Sequence, residues 1–225
     1  MSVNRSCASL MTSLSVGLYG LSVSRGNGMA KRMSGQKVVK PDADALEVSA
    51  KAAGDGGLPP VHLWNPPYCG DLDIRIHRDG RWSYLGSEIR RFELVKLFSS
   101  ILKREADKFY LVTPVEKVGI TVEDAPFVAV DFEAAGVGKE QILTFTTQVG
   151  DETLAGPENA IRVETDPETG EPAPYVHVRA GLEALVDRKS FYRLMELGET
   201  HDGWFGVWSQ GAFFRIIKAD ALDLT

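Results

Sequence analysis

A strict alternation of apolar and polar residues begins at residue 72 and predicts a half-buried strand. The segment Leu72–His77 repeats with the two-residue period of a β-strand. Asp79 and Gly80 follow it, and such residues accept the positive φ of a tight hairpin turn. Trp82–Tyr84 is predicted to be the returning strand. The pattern therefore predicts a β-hairpin at the start of the folded part of the chain.

Two later segments have the three- and four-residue spacing of amphipathic helices. The first runs from Ile89 to Leu102, with Ser87 as a predicted N-cap and Glu88 in the first turn. The second begins near Asp187, which suits an N-cap, and stops at Gly198. Each predicted helix lies after a hairpin and before a short strand.

The order of hairpin, helix and strand occurs twice, and this favours an internal duplication. The segment Arg91–Phe98 matches Arg188–Met195 position by position, and eighteen residues after each arginine lie Phe109 and Gly206, both in predicted strands. The alternative is that two unrelated helices share a common amphipathic pattern. Strands predicted at 118–122, 127–132 and 142–147 connect the two units. We therefore predict an α+β fold with a duplicated hairpin-helix-strand core and antiparallel sheets.

Composition and charge narrow the class of protein. The chain has 225 residues, of which 44% are hydrophobic and 25% charged, as in core-forming globular proteins. The formal net charge of -6 argues against a general nucleic-acid binder, which usually carries a basic face. No apolar run is long enough to span a membrane. Two cysteines, Cys7 and Cys69, are too few for a disulfide framework or a cysteine-based zinc site.

The first 57 residues are predicted to be a flexible tail, with a frayed helix near 43–53. Residues 1–40 are basic, hold no acidic residue and are rich in Ser and Gly towards the start. Three interpretations stay open for the first 30 or so: a secretory signal, a functional basic arm, or translated upstream sequence before a start at Met29 or Met33. We favour the last. The folded part is then divided into an N-terminal α+β domain, 58–115, and a C-terminal β-rich domain with one helix, 116–225.

The sequence lacks the motifs of the common catalytic and nucleotide-binding sites. Neither G-x-S-x-G, nor a phosphate-binding P-loop, nor a dinucleotide G-x-G-x-x-G occurs in it. The spacing of His62, Cys69 and His77 matches no structural zinc pattern. We therefore assign no catalytic and no metal-binding residues, and the cofactor stays unknown.

Cations at the predicted helix starts are the most informative polar residues. Arg90 and Arg91 begin the first helix, and Arg188 and Lys189 begin the second. Cations there oppose the helix dipole, so their presence favours a bound anion, although ion pairs with nearby acids explain them as well. We predict an anionic small molecule in a cleft between the two repeat units. The residues predicted to bind it are Arg75, Arg91, Thr113, Glu116 and Lys117.

Five segments together resemble the bacterial domain-of-unknown-function family 1285. They are Tyr68–Ile76, Asp79–Trp82, Leu111–Lys117, Ala173–Arg179 and Trp208–Gly211, and the resemblance covers roughly residues 60 to 217. It implies a two-part α+β fold with a duplicated core and a C-terminal part superficially like pleckstrin-homology domains. It also implies a ligand site at the domain interface for a nucleotide-like molecule, and a role in signalling. Gln148 stands where the family pattern leads us to expect Asn.

Three hypotheses of function follow from these observations. The first, which we favour, is a non-enzymatic, cytoplasmic ligand-binding or signalling module for a nucleotide-like anion. The second is an enzyme of unrecognised type that acts on a phosphorylated small molecule. The third is an adaptor that binds another protein through exposed sheet edges. A nucleic-acid partner and a membrane span are not expected, and the sequence does not indicate the oligomeric state.

Overall fold

The computed structural model describes residues 42–52, 58–165 and 170–221, which form three helices and three β-sheets. The helices are α1 (Ala43–Ala52), α2 (Phe92–Ser100) and α3 (Arg188–Glu196). Short 3-10 helices occupy Val61–Leu63, Gly138–Glu140 and Ala219–Ala221. The predicted α+β class is confirmed. Among the described helices, none has the length and apolar character needed to cross a membrane.

The first sheet contains six strands in the order β3-β2-β1-β6-β5-β4. Its strands are β1 (Tyr68–Ile76), β2 (Trp82–Tyr84), β3 (Ser87–Glu88), β4 (Leu102–Glu105), β5 (Lys108–Val112) and β6 (Lys117–Val122). All neighbours are antiparallel except β1 and β6, which run parallel with Tyr68 opposite Lys117 and Arg75 opposite Thr121. Strand β6 falls in the segment that the predicted boundary at residues 115/116 assigns to the second domain.

The second sheet also contains six strands, in the order β10-β11-β12-β7-β8-β9. They are β7 (Phe127–Ala135), β8 (Ile142–Thr147), β9 (Glu152–Leu154), β10 (Ile161–Thr165), β11 (Pro172–Arg179) and β12 (Leu182–Val186). Here β7 and β12 form the central parallel pair. A three-stranded antiparallel sheet follows α3 and consists of β13 (Glu199–His201), β14 (Trp204–Ser209) and β15 (Ala212–Lys218).

The two six-stranded sheets have the same connectivity. Each consists of two three-stranded meanders, and the first strand of the first meander pairs in parallel with the last strand of the second. Both helices that carry the sequence repeat lie between two meanders: α2 between β3 and β4, and α3 between β12 and β13. Phe109 and Gly206 lie in the middle strands of the meanders that follow, as the repeat predicts. The shared connectivity of the two sheets supports a duplication that relates β1–β6 to β7–β12. The sequence repeat relates α2 to α3 instead, which is a different pairing of segments.

The hairpin between β1 and β2 forms where the sequence predicts it. Gly80 has a φ of 84°, and its N–H donates to the His77 carbonyl at 2.9 Å. The Asp79 carboxylate accepts from the Arg81 backbone N–H at 3.1 Å and from its Nε at 2.6 Å. These bonds close the turn and bring Trp82, 1% exposed, into the core beside Phe98.

The two repeat helices begin differently. Asp187 is the N-cap of α3, since its Oδ1 accepts from the Ser190 N–H at 2.7 Å, and this prediction is confirmed. The prediction that Ser87 caps the first helix is wrong. Ser87 and Glu88 pair with β2 as strand β3, so α2 begins only at Phe92, with Arg91 as an N-cap residue that makes no side-chain capping bond.

Helix α1 packs against α2. Ala43, Leu46 and Ala50 lie three and four residues apart on one face and are buried in the core. The predicted helix near 43–53 is therefore present as α1. Polar residues separate these apolar residues in the sequence, but the one apolar face that they form is enough to hold α1 on the rest of the protein.

Candidate functional site

We call β1–β6 with α1 and α2 the first unit, and β7–β15 with α3 the second unit. A cavity of about 440 Å³ lies where the β1–β2 hairpin of the first unit meets the second unit. The hairpin contributes Arg78, and the second unit contributes the start of β11, the end of β12 and the first turns of α3. Its volume lies within the range of small-molecule sites. The lining residues are Arg78, Glu171, Pro172, Ala173, Pro174, Leu185, Val186, Asp187, Arg188, Phe191 and Tyr192.

Arg188 is oriented by two neighbours in this cavity. Its Nη2 donates to both carboxylate oxygens of Glu171, at 3.0 and 3.1 Å, and its Nε donates to the Tyr192 hydroxyl at 3.2 Å. The hydrogen bond to Tyr192, followed by the charge of Glu171, raises the pKa of Arg188 above its ordinary value. The guanidinium is thus a fixed cation beside the exposed ring of Tyr192.

Arg78 joins this cavity to a second one of about 370 Å³ on its other side. Its Nε lies 3.2 Å from Oδ2 of Asp124, and Oδ1 of Asp124 accepts from the Tyr175 hydroxyl at 2.8 Å. Burial, together with Asp124, raises the pKa of the Tyr175 hydroxyl, which therefore stays protonated and donating. Arg78, Asp124 and Tyr175 thus connect the first unit, the segment between the units and β11.

The five residues predicted to bind the ligand do not form one cleft. Arg75 lies on β1 opposite Thr121, whereas Lys117 lies opposite Tyr68 at the other end of the same strand pair. At about 3.3 Å per residue, the four residues from Lys117 to Thr121 on β6 place these two positions about 13 Å apart along the strands. Arg75 pairs with Glu123, with 3.3 Å between Nη1 and Oε1.

Helix α1 separates Arg91 from Glu116. The Arg91 guanidinium pairs with the Glu47 carboxylate, and Ser49 bonds to Glu116. Because residues 47 and 49 point to opposite flanks of a helix, α1 lies between these two side chains. Burial raises the pKa of the Glu116 carboxyl, and the bond from Ser49 partly offsets this. Arg91 and Glu116, two of the five residues predicted to bind the ligand, thus lie on opposite sides of α1.

Thr113 and Lys117 also have partners within the first unit. The buried Thr113 hydroxyl accepts from the Glu116 N–H at 3.2 Å and so shapes the turn between β5 and β6. Lys117 Nζ lies 2.9 Å from the Glu105 carboxylate and 4.8 Å from the centre of the Tyr110 ring. Ligand binding by these residues stays a prediction. Their ion pairs agree with the alternative explanation, in which such cations pair with nearby acidic residues.

Sequence reasoning found one of the two cations in the interface cavity. Arg188 was recognised as a cation at a helix start, but Arg78 follows a strand in a hairpin turn, where an arginine is ordinary. Its role becomes visible only when the hairpin is seen against β11. Among the described residues, no group of three or more His, Cys, Asp or Glu side chains is placed to hold a metal ion.

Comparisons with known proteins all identify the same family. The model of "Domain of unknown function (DUF1285), N-terminal domain" matches residues 59–125, and that of "Protein of unknown function (DUF1285), C-terminal domain" matches residues 126–216. None of the curated proteins compared with the chain matches it. A crystal structure of a DUF1285 family protein from Silicibacter pomeroyi DSS-3 is 66% identical, with a TM-score of 0.76. The match covers 79% of this chain and 97% of that chain.

A second crystal structure, of a DUF1285 family protein from Shewanella baltica OS155, is 31% identical. That match covers 56% of this chain and 91% of that chain, with a TM-score of 0.44. The residues matched by the two family models agree with the extent of the resemblance found in the sequence.

Proposed function

The chain belongs to the DUF1285 family, and from its own residues we propose that it is a module that binds a small, nucleotide-like anion between its two units. The observation that carries the proposal is that Arg78 and Arg188, from different units, line one cavity of about 440 Å³. Guanidinium groups bind phosphate and carboxylate oxygens through paired hydrogen bonds. A cavity with cations from both units makes ligand binding sensitive to how the units are arranged.

The apolar lining supports a ligand that has a flat ring as well as a charge. Phe191 and Tyr192 are adjacent on α3, with ring centres 6.2 Å apart, and both line the cavity. Pro172 and Pro174 line it from β11. Aromatic rings and prolines offer flat, rigid surfaces for a planar group. A phosphate or carboxylate attached to a ring system meets both requirements.

Acidic groups beside the two arginines set a condition on the ligand. Glu171 holds Arg188, and Asp124 lies beside Arg78. An incoming anion therefore has to compete with a carboxylate for each arginine, which costs part of the gain from the new hydrogen bonds. We propose that this exchange is how the module responds to its ligand, and that it acts in the cytoplasm in signalling, the role that the family resemblance implies.

The test is a thermal-shift titration of the full chain with adenosine and guanosine mono-, di- and triphosphates. A ligand at about 100 times its Kd stabilises the folded state by about 2.7 kcal/mol, a shift that is easily measured. Arg78→Ala and Arg188→Ala should each weaken binding about tenfold or more, since a hydrogen bond to a charged group contributes ~1.5 to 3 kcal/mol.

The matched control is Arg90→Ala. Arg90 has an 87% exposed side chain whose nearest carboxylate, that of Glu88, is 3.7 Å away, and it lies outside the cavity. This variant should bind as the wild type does. If none of the nucleotides raises the melting temperature, or if Arg90→Ala weakens binding as much as the cavity variants, the proposal is wrong, and the adaptor hypothesis becomes the one to test.

A further inference from the structure

A serine, a histidine and a glutamate form a connected chain of hydrogen-bonding contacts on one face of the first sheet. His77 Nε2 lies 2.9 Å from Oγ of Ser83, and His77 Nδ1 lies 3.1 Å from Oε1 of Glu123. Ser83 is in β2, His77 directly follows β1, and Glu123 directly follows β6. Three neighbouring strands therefore place these three groups next to one another.

The charge of Glu123 determines which ring nitrogen of His77 carries the proton. Hydrogen bonding from the Arg78 backbone N–H, then from Arg75 and His77, lowers the pKa of the Glu123 carboxyl. The ionised carboxylate only accepts hydrogen bonds, so neutral His77 must donate from Nδ1. Its Nε2 is then an acceptor, and the hydroxyl of Ser83 donates to it.

Glu123 is itself held in place. Its Oε2 accepts from the Arg78 backbone N–H at 3.2 Å, and its Oε1 accepts from Arg75 Nη1 at 3.3 Å. A base that is hydrogen-bonded to a hydroxyl and oriented by a third, fixed group is the arrangement that activates a nucleophile. The ordinary spacing of these residues in the sequence gives no hint of it.

A cation lies beside the hydroxyl on the same face. Arg75 is the direct cross-strand partner of Ser83, and such pairs have Cβ atoms about 4.5 to 5.5 Å apart. A guanidinium has five N–H donors, so its bond to Glu123 leaves others to meet a developing negative charge. Arg75 is one of the residues that the sequence singled out for an anion.

We propose that Ser83 is an activated nucleophile that takes an acyl group from small carboxylic esters, with His77 as general base and Glu123 as the group that orients it. The Ser83 oxygen forms a bond to the ester carbonyl carbon while its proton moves to His77 Nε2. The carbon–oxygen bond to the alcohol then breaks, and the alcohol leaves with that proton. Water releases the acyl group as a carboxylic acid by the same steps and returns the proton to Ser83.

The surroundings set the expected rate and substrate. Ser83 is 8% exposed, while the side chain of His77 is 32% exposed. Such limited access admits only small, activated esters, and water near the partly exposed His77 weakens the electrostatic stabilisation of developing charge. Slow turnover and a stable covalent adduct with reactive probes are therefore expected.

The experiment is covalent labelling of the full chain with a fluorophosphonate probe, followed by intact and peptide mass spectrometry. The Ser83 oxygen should bond to phosphorus with loss of fluoride, giving one adduct per chain on the peptide that contains Ser83. Ser83→Ala should abolish the adduct. His77→Ala should slow labelling about 100-fold or more, which is the usual contribution of a general base. Hydrolysis of 4-nitrophenyl acetate should fall in parallel.

Matched controls separate reactivity from structure. Ser87→Ala removes an exposed serine of the adjacent strand β3, and His62→Ala removes an exposed histidine of the first unit. Both variants should label at the wild-type rate. Glu123→Gln should slow labelling without abolishing it, because the amide oxygen still accepts from His77 while the negative charge is lost.

Melting temperatures of all variants are recorded beside the labelling rates. Failure of the wild-type chain to form an adduct, or equal labelling of His77→Ala and wild type at matched folding, overturns the proposal. An adduct on another serine overturns it as well. Ser83, His77 and Glu123 would then be a structural network that holds the segment between the two units. The nucleotide-binding proposal concerns a different cavity and is decided by its own titration.

Discussion

Leu97 and Leu194 occupy matching positions in the two repeat helices, but their surroundings differ. Leu194 is fully buried in α3, whereas Leu97 is only partly buried and the following residue, Phe98, fills the core beneath α2. The repeat in the sequence predicts equal roles for the two leucines. Relative to the repeat, the buried position is shifted by one residue, from Leu194 in α3 to Phe98 in α2, and one residue turns a helix by about 100°.

Leu194→Ala is expected to destabilise the protein more than Leu97→Ala does. Truncating a fully buried leucine costs about 2 to 5 kcal/mol because it removes apolar contacts and leaves a cavity. Leu97→Ala should cost less, since part of that side chain already faces solvent. Urea unfolding of both variants gives the two free energies. Equal losses of unfolding free energy would mean that Leu97 and Leu194 are buried to the same extent, which contradicts the structure.

At the scale of elements, α1 is the clearest addition to what the sequence predicts. Its buried face consists of two alanines and one leucine, and most of that buried volume comes from Leu46. A face so small gives a weak periodic signal, so the sequence predicts a frayed helix and does not predict where it docks. Glu47 also binds both Lys51 and Arg91, and these contacts add to the packing.

Leu46→Ala is expected to destabilise the protein by about 2 to 5 kcal/mol. Leu46 is 1% exposed, whereas Val48 on the same helix is 69% exposed. Val48→Ala is therefore the matched control and should change the stability by no more than about 0.5 kcal/mol. Thermal and urea unfolding report both values. A neutral Leu46→Ala would show that α1 does not contribute to the core in solution.

The two helix starts show where local sequence signals succeed and where they do not. Asp187 follows a strand that has already ended, so its carboxylate is available to cap α3. Ser87 carries the same type of signal, but its backbone pairs with Tyr84 in the first sheet. Sheet pairing is a tertiary interaction that no single-residue preference encodes. Hairpins, strands and helix types were thus predictable, while the start of α2 was not.

At the scale of the whole molecule, arginines fasten the two units to each other. Arg179 on β11 donates from Nη2 to the Ser99 carbonyl of α2 at 2.9 Å, and it also pairs with Asp151 and lies over the Phe127 ring. In the reverse direction, Arg104 on β4 donates to the Gly181 carbonyl at 3.2 Å. The bonds to the Ser99 and Gly181 carbonyls cross from one unit to the other, whereas Asp151 and Phe127 orient Arg179 within its own unit.

Arg179→Ala is expected to destabilise the protein by about 2 to 3 kcal/mol, because hydrogen bonds to charged groups contribute ~1.5 to 3 kcal/mol and the ring contact is lost too. Arg179→Lys should recover part of this, since an ammonium cannot bond two partners in the same planar geometry. Arg90→Ala is the solvent-exposed control. A loss no greater than that of the control would show that the two units do not depend on this contact.

The sequence predicts a ligand site between the two repeat units, and it does not predict which residues line the cavity that lies there. A ligand between two repeat units follows from the repeat itself, yet the five predicted residues belong to one unit and are separated by the length of β1 and by α1. The interface residues Arg78 and Arg188 are more than 100 positions apart in the chain. Their proximity arises from how β11 and α3 lie against the first hairpin, which is a property of packing.

The parallel pairing of β1 with β6 has a consequence for how the protein is made. Tyr68 and its partner Lys117 are about 50 residues apart in the chain, so a ribosome that adds roughly 5 to 20 residues per second leaves β1 waiting several seconds. During that interval the edge of β1 that later meets β6 is open to strands of neighbouring nascent chains. The same delay recurs for β7 and β12. A high rate of synthesis therefore favours exchange of β6 or β12 between copies, and a slower rate should raise the yield of chains in which β1 and β7 pair with their own β6 and β12.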